Sequence, residues 1–362
     1  MTASAATEGE PVMEQRRPSR PVRVGLFLSH QKPPDADPVR ALEQQLEMVR
    51  LVRDAGWDSV MTGQHYLLDE VRKLQPFPFL ARIAAESGEM RLGAAVLLLA
   101  LHNPVQVAEE VATLDIISGG RFVLGVALGY RDEEYAAFGV PRTEAVRRFE
   151  TNLRVVMDLL EGRSVDVSTP WCRTSGAQLT NLPVQRPRPE IWIGANADAA
   201  VRRAARMGDT WIINPHARRA TVARQLELFR SERIAHALDP DPVTLPALKE
   251  VFCAPTREQA FRACLPYLGE KYRHYAAWGQ DRTMPDDDTL ALSTEQLVDD
   301  RFVIGTPNDC LRTLAAWRDD LGVDTFILRT EWVGMPHEVA MGSLELLARS
   351  VVPALIAGRS TI

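Results

Sequence analysis

From Val22 onward, short apolar runs alternate with stretches whose apolar positions recur every three or four residues. Val22–Leu28, Asp58–Thr62, Arg91–Leu98, Phe122–Val126, Ile191–Gly194, Thr210–Ile213, Ala247–Cys253 and Thr325–Arg329 read as strands. They are nearly all apolar, as strands covered on both faces must be. Between them Arg40–Ala55, Asn103–Ser118, Arg142–Leu160, Asp198–Met207, Thr221–Ala237, Thr256–Tyr275, Pro307–Asp320 and Pro336–Ala357 have helical spacing. The punctuation agrees: Asn103 and Thr306 stand at N-caps, each before a proline, and Gly56 and Gly119–Gly120 follow helix ends. Strand–helix alternation predicts an α/β fold, a closed (β/α)8 TIM barrel, with a doubly wound open sheet as runner-up. No GxGxxG follows the first strand, which argues against a dinucleotide-binding Rossmann domain.

Three stretches leave this rhythm. Residues 1–20 are polar and rich in small side chains, and are expected to form a disordered tail ahead of one domain, 21–362. Residues 163–189 contain Pro170, Pro183, Pro187 and Pro189 and are expected to make a hairpin excursion. Residues 279–300 carry Pro285 and the acidic run Asp286–Asp288, and read equally as a lid or as a surface loop.

Composition narrows the class only slightly. A net charge of −6 over 362 residues gives no sign of a nucleic-acid partner. The apolar run Leu92–Leu101 is too short to span a bilayer, so no membrane is expected. Cys172, Cys253, Cys264 and Cys310 lie at no zinc or CxxC spacing, which suits a reducing cytoplasm. Only Lys32, Lys73, Lys249 and Lys271 are lysines; the other basic residues are arginines, read here as a compositional bias.

In a barrel, chemistry gathers where strands end. His30, His65, His102 and His216, four of seven histidines, fall just past strand ends, where imidazoles serve as acids or bases near neutral pH. HExxH, HxH and GxSxG are absent, so neither a metal nor a serine triad is expected. Gly194-Ala195-Asn196-Ala197-Asp198 is a small-residue turn into a helix. It reads as a phosphate cradle or as an ordinary turn capped by Asp198.

Leu92–Pro141 carries Asn103, Pro104, Asp115, Ser118, Gly120, Arg121, Gly125, Gly129, Glu134, Tyr135, Phe138 and Gly139 in an order that resembles the luciferase-like monooxygenase family. Ala55–Val60 before Gln64-His65, Ala204 to Trp211, and Ile304-Gly305-Thr306-Pro307 extend the likeness in order along the chain. The resemblance implies a luciferase-like barrel that uses reduced FMN and O2, through a peroxyflavin, to oxygenate a small apolar organic substrate. It also implies a separate NAD(P)H-dependent flavin reductase in a two-component system, and a homodimer. Its alternatives are a deazaflavin-dependent hydride-transfer enzyme and a non-enzymatic flavin-binding relative.

By the same resemblance His65 is the catalytic residue, with Gln64 where luciferases have glutamate. Ala95 and Val96 match a non-prolyl cis peptide beneath the flavin. Ala127, Leu128, Gly129, Tyr130 and Arg131 match the loop along the ribityl phosphate, with Arg131 the arginine left to meet the phosphate. Gly194, Ala195, Asn196 and Ala197 match the phosphate cradle. Tyr66, Tyr275, Trp278 and Trp332 are candidates for the substrate pocket, or for core packing, and Phe27, Leu97 and Leu99 for walls that exclude water.

Overall fold

The computed structural model describes residues 20–285 and 288–362. The expected tail up to residue 19, and Asp286 and Asp287 of the acidic run, lie outside them. Eight parallel strands close into a barrel: β1 (Arg23–Leu28), β2 (Ser59–Thr62), β3 (Arg91–Leu98), β4 (Phe122–Ala127), β5 (Glu190–Ala195), β6 (Thr210–Ile213), β7 (Pro246–Cys253) and β8 (Thr325–Arg329). β8 pairs with both β1 and β7, and Ile213 pairs with Ala247 to close the ring, which removes the open-sheet alternative.

Two apolar cores explain why the strands are hydrophobic on both faces. Phe27, Met61, Val123, Trp192, Ile212, Leu248 and Ile327 fill the barrel interior. A larger shell, including Leu46, Val107, Phe149 and Phe229, lies between strands and helices. Glycine lets the inner layer interdigitate. A Cβ on Gly25 would stand 2.1 Å from Ser59 Oγ, and one on Gly93 2.4 Å from Met61 Sδ. Asn103 caps helix Pro104–Ile117 by accepting from the Val105 and Gln106 N–H groups, and Thr306 forms a capping box with Asp309.

Several elements depart from the sequence pattern. Helix Pro76–Ala84 lies between β2 and β3, where none is expected. Its prolines, Pro76 and Pro78, fall in the first turn, where a missing N–H costs nothing. Val303–Gly305 adds a three-residue strand to the end of β7, too short to show a period. The 163–189 excursion contains the antiparallel hairpin Val165–Ser168 and Arg173–Ala177. Within 279–300, a 3-10 turn, Gln280–Thr283, precedes helix Thr294–Arg301. The helical stretch His337–Ile356 is long and apolar enough to cross a bilayer. Its Ala340, Leu344, Leu347 and Val351 are buried in the outer core, and Ser343 Oγ accepts from the β7 residue Cys253.

Candidate active site at the carboxyl rim

The strands open at their carboxyl ends on a cavity of about 450 Å³, inside the range of small-ligand sites. Phe27, Ile212 and Leu248, the top of the inner core, line it. Ala95 and Val96 form part of its wall, and the peptide between them is cis. Ala127 to Tyr130 and Ile193 to Ala197 line the wall beyond.

His65 lines the same cavity, its Nδ1 3.0 Å from Glu134 Oε1. Glu134 sits on the short helix Asp132–Ala137 and is wholly buried. The same oxygen accepts from the Tyr66 N–H at 2.8 Å and lies 3.7 Å from Arg131 Nη1. Burial lowers the His65 pKa, opposed by the Glu134 carboxylate. His65 is therefore neutral at pH 7, with Nδ1–H donating to Glu134 and a lone pair on Nε2.

Gln64 is held by its neighbours. Its Nε2 donates to Tyr66 Oη at 2.8 Å and Gln75 Oε1 at 3.2 Å. Its Oε1 accepts from the Leu98 N–H at 3.0 Å and from His102 Nε2 at 2.9 Å. Every bonding position on the amide is filled, so Gln64 ties β2 to the end of β3 and offers no free group to a reaction. It lines the cavity beside His65.

The turn after β5 leads into helix Asp198–Met207, whose N-cap, Ala197, contributes no side-chain bond. Asp198 does not cap it. Its carboxylate binds Arg224 at 2.6 and 3.1 Å and Gln225 at 2.9 Å, which leaves the first-turn N–H groups without a side-chain acceptor. Asn196 Nδ2 donates to Thr283 Oγ1 at 2.9 Å. Gln280, Arg282 and Thr283 line the cavity, so this part of 279–300 belongs to the site rather than to the outer surface.

Across the cavity, at β7 and β8, charge is concentrated. Glu250 Oε1 pairs with Lys271 Nζ and lies 3.5 Å from Arg329 Nη1, and its Oε2 accepts from Trp332 Nε1 at 2.6 Å. Arg329 stacks over the Phe27 ring at 4.3 Å. The attraction of Lys271 and Arg329 keeps the Glu250 carboxyl low against its burial.

Three expectations are corrected. Arg131 does not line the cavity: its guanidinium donates to the Tyr66 carbonyl at 2.7 Å and stacks on Trp278 at 5.0 Å. Arg142, Arg203 and Arg282 line it instead. Of the four aromatics, Tyr275 lines the cavity. Tyr66 packs on Phe138, Trp278 lies beneath Arg131, and Trp332 is buried against Phe252 and Glu250, so these three stand behind the wall. Leu97 and Leu99 belong to the outer core, and only Phe27 of the expected apolar walls faces the cavity. Sequence reasoning missed the part played by Glu134 beside His65; its signal was the Glu134-Tyr135 pair already noted as a motif. It also missed Lys73, which lines the cavity and whose signal was the rarity of lysine.

A parallel eight-stranded barrel with a cavity at its carboxyl rim is the architecture of TIM-barrel enzymes. The family profile of luciferase-like monooxygenases matches residues 22–325, and the chain belongs to that family of oxidoreductases. The oxygenase component of a flavin-dependent trigonelline monooxygenase from Acinetobacter baylyi is 24% identical over 355 residues, 92% of this chain and 95% of that protein. The monooxygenase RslO1 from Streptomyces bottropensis superposes with a TM-score of 0.81 at 22% identity, covering 92% of this chain and 99% of its own. The oxygenating constituent of 3,6-diketocamphane monooxygenase from Pseudomonas putida, in complex with FMN, superposes with a TM-score of 0.76 at 18% identity, covering 92% and 98%.

Proposed function

We propose that the protein is the oxygenating component of a two-component monooxygenase. It takes reduced FMN from a separate NAD(P)H-dependent reductase and places one atom of O2 in a small organic substrate. One observation carries this reading. His65, the Ala95–Val96 peptide, the Ala127–Tyr130 loop and the Gly194–Ala197 turn all border one cavity.

The residues present suit FMN. Gly194 keeps the wall flat: a Cβ there would come 3.2 Å from Val96 Cγ1 and 3.4 Å from Ala127 Cβ. The first-turn N–H groups of helix Asp198–Met207 suit a phosphate, aided by the positive charge of Arg142, Arg203 and Arg282. Ala95 and Val96 offer an apolar surface for the ring. Bound reduced FMN supplies the electrons that activate O2. His65 Nε2 takes or returns a proton at the reacting centre, while Glu134 fixes its ring and tautomer. Phe27, Val96 and Leu248 keep water from the apolar side. The reductase-fed setting follows from the same reading, and the likeness to the oxygenase component of the Acinetobacter monooxygenase supports it.

The test is a titration with FMN followed by turnover in ¹⁸O2 with a flavin reductase and NADH. Micromolar FMN affinity and one labelled oxygen in the product are expected. Binding of a deazaflavin in place of FMN, without O2 uptake, would move the protein to hydride transfer on the same barrel.

A further inference from the structure

We propose that the organic substrate bears a carboxylate, received by Lys73 together with Arg329 on the β8 side of the cavity. This names the substrate class of the site described above and rests on that reading. The lysines carry the argument. Arginine supplies the basic surface of this chain, yet Lys32, Lys249 and Lys271 are buried and Lys73 is half-buried against the cavity. Three of the four have interior partners. Lys32 pairs with Glu331 and Lys271 with Glu250, and Lys249 rests 3.5 Å above the Trp317 ring. Lys73 donates to the Ser29 carbonyl at 2.6 Å and, among the described residues, joins no ion pair.

Its surroundings offer donors rather than acceptors. Arg329 and Tyr130 line the cavity with it, and Arg329 Nε and the Tyr130 hydroxyl have no partner. Glu250 is the carboxylate of this cluster and already serves Lys271, Arg329 and Trp332. Lys271 and Arg329 therefore set two cations against one carboxylate, and Arg329 also faces Lys73. Burial and the neighbouring Arg329 charge bring Lys73 down to about 7, and an anion bound beside it would hold it protonated. Lysine and arginine carry donors alone, so an occupant must bring acceptor oxygens and negative charge. The phosphate of FMN is assigned to the turn after β5, near Arg203 and Arg282. A neutral aldehyde or alkane would leave the excess charge unanswered. A carboxylate does not, and Phe27 and Leu248 beside it suit an apolar body.

Benzoate and its neutral isostere benzamide are titrated against the FMN-loaded protein and the flavin-free protein, read by tryptophan fluorescence. Benzoate is expected to bind at least about tenfold tighter than benzamide in both. Lys73→Met should remove about tenfold to a hundredfold of benzoate affinity, the usual worth of a charge-assisted bond. It should leave FMN affinity within about twofold, and Lys73→Arg should restore most of the preference. Equal binding of the two probes, or binding of neither, overturns the proposal. So does a tenfold loss of FMN affinity in Lys73→Met, which would hand the lysine to the cofactor. If Lys73→Met fails to fold, the two probes on the native chain and on Lys73→Arg decide. A native protein that prefers benzoate yet binds no FMN would end the flavin reading while sparing the anion site.

Discussion

The two sides of the barrel rim solve the problem of buried polarity in opposite ways. On the β2–β4 side, Gln64, His65, His102 and Glu134 form a network in which the histidines are neutral and the Gln64 amide is fully bonded. On the β7–β8 side, Glu250 is outnumbered by Lys271 and Arg329, and Arg329 Nε has no partner. The first arrangement holds one imidazole in one tautomer; the second waits for charge from outside. A neutral, bonded network positions a reacting group, whereas a surplus of buried cations selects a ligand.

The sharpest way to break the contrast is to remove the anion of the charged side. Glu250→Ala leaves Lys271 and Arg329 buried without a counter-ion and should cost about 3–5 kcal/mol of stability in urea unfolding. A loss below about 1 kcal/mol would show that water reaches these cations. On the neutral side, His65→Ala should keep its fold and lower turnover about a hundredfold in the reductase-coupled assay; unchanged turnover removes His65 from the chemistry. Glu134→Gln should lower turnover by about tenfold. Because Glu134 raises the His65 pKa against burial, losing it should shift the acid limb of the rate profile to lower pH. An unmoved limb would mean that another group sets it. Gly194→Val, which fills the space beside Val96 and Ala127, should weaken FMN binding by about tenfold in a fluorescence titration; unchanged affinity would return the turn to an ordinary connection.

A further expected effect is on stability in mild acid. Burial holds His30 and His102 at about 4, against about 6.5 in an unfolded chain. Between those values the unfolded chain binds more protons than the folded one. Stability should therefore be intact above about pH 6.5 and fall as the pH drops toward 4. Melting temperatures that stay flat across this window would show that the two imidazoles are reached by solvent.

Much of the frame was legible in the sequence. All eight barrel strands stand within a residue or two of their apolar runs, because a strand covered on both faces must be apolar along its length. The caps at Asn103 and Thr306 were legible because each bonds within its own turn. Helix Pro76–Ala84 was hidden by prolines that usually signal a break, and Val303–Gly305 by its shortness. At the site, His65 and the Gly194–Ala197 turn could be placed at the rim from their distance past a strand. Arg131 could not be resolved, since a guanidinium one residue past the cavity wall reaches either way, and here the Tyr66 carbonyl and the Trp278 ring capture it.

The chain's local pattern alone determined the strands and helices, their order of appearance and the strand ends that bear chemistry. These depend on the spacing of apolar residues, and each segment carries that information within itself. Tertiary structure alone decided that Glu134 orients His65 across 69 positions of sequence, that Gln64 is tied to the end of β3, and that Lys32, Lys249 and Lys271 are buried. Such pairings depend on which side chains the closed ring brings face to face and on how much water is left between them.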